Sequence, residues 1–198
     1  SLPVKVSRIA KQADITLLKN SAVNLLNNSE SGTTLMQNDK LYIIYADEQS
    51  AQRCRFTIAH ELGHTQQKNG DSEDDGNSNL LGYCIGEGSC DFISELLLKK
   101  PVNSPYMTYG KSNEKELWKL FEKEMLGQET KNWLYNGNEA PNGNADLGYF
   151  IGYEICKSYY NNSKNKKQAL KEIIELEYSK ENVIKFLEKS KYSKKWNN

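Results

Sequence analysis

Hydrophobic and polar positions follow two periods along this chain, and the change from one to the other comes early. Val6, Ile9, Ala10 and Ala13 recur at helical spacing and predict a short opening helix. Ile15 to Leu18 reads as a short strand. Thr33–Gln37 and Lys40–Tyr45 flank Asn38-Asp39, and two such residues between apolar runs predict a β-hairpin with a two-residue turn. Asp47 then stands where an N-cap is wanted for a helix from about Gln49 to Gln67.

From Lys68 to Asn79 there is no apolar residue, which predicts a solvated loop. Its Asp71-x-Glu73-x-Asp75-Gly76 run hints at a calcium loop, but the twelfth position, where a bidentate glutamate is required, is Gly82. A long helix is expected from about Leu80 to Lys99, stopping before Pro101. Asn113 and Glu116 have the spacing of a capping box for a third helix ending at Gly127. A loop rich in Asn, Gly and Pro (136–144) leads to a fourth helix near Ala145–Tyr160. Two amphipathic helices follow, near Lys166–Glu177 and Lys180–Lys189. The expected fold class is therefore α+β: a small antiparallel sheet with a helix behind it, then a helical C-terminal lobe. Residues 1–198 are read as one domain, with sheet and first long helices in 1–100 and the lobe in 101–198.

Charge narrows the partners. Lysine plus arginine number 26 and so do aspartate plus glutamate, so no net field steers the chain to nucleic acid or to an anionic membrane. No apolar run is long enough to span a bilayer. No charged-then-apolar leader opens the sequence, so a cytoplasmic location is expected; a secreted or periplasmic one with its signal removed stays open, since the chain starts at Ser1. Cys54, Cys84, Cys90 and Cys156 make no C-x-x-C pair. With Cys84 and Cys90 on one helix more than a turn apart, they are read as free, mostly buried thiols.

The two histidines of the chain both fall in His60-Glu61-Leu62-Gly63-His64. On a helix, H-E-x-x-H puts two imidazoles one turn apart on one face, the spacing that holds a single zinc ion. The glutamate between them points to the neighbouring flank, where it can take a proton from the water that attacks the substrate. A catalytic zinc usually has three protein ligands plus water, and with no histidine left the third is a carboxylate or a thiolate. Glu87 is the best candidate: it lies on the next helix between Gly86 and Gly88, which would let that backbone come close to the metal. Glu95 is the runner-up. Asp91, one turn after Glu87, could accept from the free ring nitrogen of a ligating histidine and fix its tautomer. Tyr149 and Tyr153, at i, i+4 beside Gly148 and Gly152, are candidate donors to the oxyanion, although tyrosines at that spacing are more often packing residues.

Two resemblances emerge from these residues. From about Leu2 to Gln66 the chain resembles the ImmA/IrrE family of bacterial metallopeptidases. The carriers are Ile9-Ala10, Ser31-Gly32, the strand Leu41–Tyr45 and the run Arg55–His64. That resemblance implies a zincin-like fold, a cytoplasmic setting, links to mobile elements and stress responses, and substrates among repressor-type regulators. From about Leu80 to Trp196 it looks more like a bacterial family of predicted zinc-dependent proteases of unknown function. Here the carriers are Glu87–Ile93, Asn132–Gly137 and Ala145–Tyr153. In ImmA-like proteins the matching glutamate usually precedes an alanine-rich run, whereas here Glu87 stands before Asp91-Phe92-Ile93. Both resemblances imply His60, His64 and Glu87 as ligands and Glu61 as base.

The reading that follows is a zinc metallopeptidase with Zn2+ as cofactor and a protein or peptide as substrate, without nucleic-acid or membrane partners; its oligomeric state is left open. A strand along the site could hold an extended peptide by pairing with it, a role suited to the tyrosine-containing strand before the motif. The alternative is a catalytically silent zincin-fold regulator or binding module that holds a protein partner. Glu61 favours the enzyme, since a structural zinc site has no use for that carboxylate. A structural site would also tend to close with a fourth protein ligand, for which Cys84 or Cys90 could serve.

Overall fold

Two periods in the sequence become two kinds of packing. The computed structural model describes residues 5–27, 30–67, 78–140 and 143–196. The chain is mixed α+β and divides into two compact units: Ser1–Gln66 with Ile93–Pro101, and Gln67–Phe92 with Val102–Asn198.

In the first unit, helix α1 (Val6–Gln12) leads into strand β1 (Ile15–Lys19) through Asp14, whose φ is +58°. A single helical turn, α2 (Asn20–Val23), precedes the hairpin of β2 (Gly32–Gln37) and β3 (Lys40–Tyr45). The hairpin is antiparallel in the expected register, with Gln37 opposite Lys40, and Asn38 and Asp39 both take positive φ (51° and 61°) as a two-residue primed turn demands. β1 adds to the other side of β3 in parallel, so the strand order is β1-β3-β2 and the sheet is mixed. The tyrosine-containing strand β3 thus lies in the middle with both backbone edges already paired, which removes it as a peptide-binding strand; β2 is an edge. Ile15 and Ile43 join Val6, Ala10, Ile58, Ala59 and Leu62 in one core, so α1 and α3 (Ala51–Gln66) share it with the sheet. Ser50 caps α3, accepting from Arg53 N at 3.2 Å. Asp47, the expected cap, instead accepts from the backbone N–H and the hydroxyl of Ser21, and these bonds hold its carboxyl below the usual range.

The second unit is helical. α4 (Leu80–Leu98), which belongs to this unit as far as Phe92, is capped by Asn79, whose side chain accepts from Gly82 N at 3.0 Å. Its first N–H groups find further partners in the chain after α5: Leu80 N donates to Gly127 O and Leu81 N to Met125 O. The Asp71–Asp75 run lies outside the described residues, while Gly82 sits in the first turn of this helix. α5 (Pro105–Glu124) starts eight residues before the expected capping box. Asn113 does not begin that helix but kinks it: φ is −128°, and its side-chain amide donates back to Tyr109 O. Pro105 at the first helical position starts α5, as its fixed φ allows. α6 (Leu147–Asn162), α7 (Lys166–Ile174) and α8 (Lys180–Ser190) complete the unit near their expected bounds. The thiols of Cys84, Cys90 and Cys156 are buried and unbridged, and Cys54 is half-buried and free. No helix among the described residues is long and apolar enough to cross a membrane.

The glycines of α4 and α6 decide how these helices meet. A Cβ on Gly152 would lie 1.7 Å from the Cys84 carbonyl oxygen, and one on Gly88 would lie 2.1 Å from Tyr153 N. Backbone therefore packs directly on backbone, and Gly88 serves this contact with α6. Gly152→Ala should cost about 3 kcal/mol or more, above the usual range for overpacking because backbone rather than a side chain must move. A fall in the urea midpoint with an unchanged slope would register it.

Candidate metal centre

α3 carries the motif as the sequence requires. His60 and His64 project from one face, with ring centroids 4.8 Å apart and Nε2 atoms 3.0 Å apart. Both rings are half-buried, and Glu61 between them is 8 % exposed. Its carboxylate turns to the sheet, where Thr34 on β2 donates its hydroxyl to Oε2 at 2.9 Å. Gly32 permits this approach: a Cβ there would stand 2.4 Å from Thr57 Cγ2 and 3.2 Å from Glu61 Oε1. The edge strand and the helix are thus drawn together at the glutamate.

On α4, Glu87 is half-buried, and its Oε1 accepts the Tyr135 hydroxyl at 2.5 Å. Asp91, one turn on, is fully buried and accepts the Tyr106 hydroxyl at 2.8 Å. The Tyr149 ring stands between those of Tyr106 and Tyr135, at 5.4 and 6.2 Å. Burial first, and the Glu87 charge second, push the Tyr149 phenol well above its ordinary range, so it stays a proton donor at neutral pH. Tyr153 differs: it is fully buried, its ring meets Phe92, and its hydroxyl takes the Lys157 ammonium at 2.9 Å. Burial, with a smaller push from Glu87, also raises the Cys84 thiol, which disfavours the thiolate a zinc ligand must be.

His60, His64 and Glu87 each offer one ligand atom, and these atoms lie within 4.8 Å of one another. Among the described residues they are the one group of three or more such side chains close enough to hold a metal; Glu95 and the cysteines do not join it. Two imidazole nitrogens and one carboxylate oxygen form a donor set that suits zinc and leaves a position for water. The 3.0 Å between the nitrogens is near the roughly 3.3 Å expected of two nitrogens bound at about 2.0–2.1 Å to a tetrahedral ion.

Sequence reasoning missed four contributors here: Gly32 and Thr34 beside Glu61, Tyr106 on Asp91, and Tyr135 on Glu87. Thr34 had its strand position as a signal, and Gly32 and Tyr135 lay in the runs Ser31-Gly32 and Asn132–Gly137 that carry the resemblances, but nothing local named their partners. Tyr135 lies in a loop without periodicity, 48 residues from its partner.

No curated protein and no solved structure matches the chain. One protein family does, described as predicted Zn-dependent protease (DUF2268), and the match runs over residues 3–181. It takes in the motif helix and the Glu87 helix alike. With some nine-tenths of its length so matched, the chain belongs to this family of predicted Zn-dependent proteases.

Proposed function

We propose that the chain is a zinc metallopeptidase that cleaves a protein or peptide bound in extended form. The observation that carries this reading is Glu61: a carboxylate held by Thr34 beside the His60–His64 pair, whose ligand nitrogens lie close to a carboxylate oxygen of Glu87. A structural metal site needs the ligands but not this neighbour.

His60, His64 and Glu87 would hold the ion, the imidazoles through Nε2 with the proton on Nδ1. Bound zinc supplies a Lewis acid and lowers the pKa of its water toward neutrality. Glu61 takes the proton of the attacking water and passes it to the leaving amine. The Thr34 hydroxyl fixes one carboxylate oxygen, so the other keeps a constant direction for that transfer. Asp91 is proposed to accept from the Nδ1–H of a ligating histidine and so set its tautomer. Tyr149, kept protonated, is the proposed donor to the oxyanion. Tyr153 is committed to the helical core and takes no part. The substrate strand pairs with β2, which lies at the edge of the sheet among the described residues.

The wild-type chain should carry about one zinc per molecule. His60→Ala and His64→Ala should lose it and Glu87→Ala most of it, whereas Glu95→Ala should keep it, as read by metal analysis after dialysis. Asp91→Ala should weaken zinc binding by roughly 10–100-fold. Glu61→Gln should retain zinc while turnover falls at least about a hundredfold, the lower end of what a general base contributes. Peptide termini across a proteome treated with wild type or Glu61→Gln separate enzyme from binding module: identical termini in both would remove the peptidase reading.

A further inference from the structure

We infer that Tyr135 is a positioning residue: its hydroxyl orients the Glu87 carboxylate for the metal. This rests on the reading of Glu87 as a zinc ligand and adds a residue to it. Three features of Tyr135 point the same way. Its hydroxyl donates to Glu87 Oε1 at 2.5 Å, a charge-assisted bond at the short end of its range. Its backbone is left-handed, with φ +56°, a conformation uncommon for a bulky side chain, and among the described residues it is the one aromatic residue in that state. Its side chain nevertheless stays about half in solvent, at 53 % exposure, so burial does not explain why the strain persists.

The loop is built to hold that conformation. Asn136 N donates to Asp146 Oδ1 at 3.1 Å, and Asp146 N donates back to Asn136 Oδ1 at 2.8 Å. The Asp146 carboxylate also accepts from the backbone of Tyr135. The Asn136 amide reaches Lys131 O at 3.0 Å and closes the loop from the other side. The Tyr149 ring meets that of Tyr135 edge-on, at 88°, and limits where the phenol can swing. The same device recurs one turn along α4, where Tyr106 donates to Asp91. A carboxylate so held by one oxygen offers the other to a metal without first giving up rotational freedom, which is how hydrogen bonds to ligating groups raise affinity.

The test is zinc affinity of the full chain, measured at pH 7 by competition with a chromophoric chelator, together with thermal melting with and without zinc. Tyr135→Phe keeps the ring and removes the donor. It should weaken zinc binding by roughly 10–100-fold, leave the zinc-free melting temperature unchanged, and shrink the rise in melting temperature that zinc produces. Tyr159→Phe, whose hydroxyl serves Glu172 instead, should bind zinc as wild type does. Wild-type affinity in Tyr135→Phe would overturn the assignment while leaving the metal site standing. A lowered zinc-free melting temperature with unchanged affinity would also overturn it, by showing a role in stability alone. A wild-type chain without stoichiometric zinc would remove the metal site itself and this inference with it.

Discussion

Two imidazole nitrogens 3.0 Å apart on one helix face bring two lone pairs toward the same point, and such an arrangement is stable only when a positive centre lies between them. A proton on one ring can meet this need, and a divalent cation meets it better because it satisfies both nitrogens at once. Much of the first unit serves this arrangement. Ser50 starts the helix, the core of Ile58, Ala59 and Leu62 fixes its rotation against the sheet, and the histidines are left on the face that turns away from that core. Glu61, one residue from His60 and so about 100° around the helix, comes to face β2 and the Thr34 hydroxyl.

Glu87 depends on a different constraint, the approach of two helix backbones. α4 and α6 meet through Gly88 and Gly152 with no side chain between them. Asn79 and the carbonyls of Met125 and Gly127 hold the N-terminal end of α4. A side chain on a helix held this firmly varies little in position, as a candidate metal ligand must. Burial raises the Tyr149 phenol, and the buried thiol of Cys84 is raised likewise. Near Glu87, then, the carboxylates are the available anionic donors, and the phenols are available to donate hydrogen bonds to them.

What the sequence determined by itself was local and periodic. The motif spacing in 60–64, the hairpin around Asn38-Asp39, the opening helix and the span of α4 each follow from residues within a turn or two of one another, where side-chain period and backbone preference dominate. Glu87 was legible as a candidate because its helix could be placed and two histidines leave a zinc site one ligand short. The tertiary structure alone decided the rest. Ser50 displaced Asp47 as cap because Asp47 found Ser21, 26 residues away. α5 begins at Pro105 and not at the capping box of Asn113 and Glu116, with Met107 and Gly110 buried in the turns before it. β3 became the central strand when β1 paired with it in parallel, a choice made between segments some 26 residues apart. Tyr135, strained and half-exposed in a loop without hydrophobic periodicity, acquired its partner only when the fold brought residue 135 to residue 87. Spacing along a chain encodes which side chains share a face; it does not encode which faces meet.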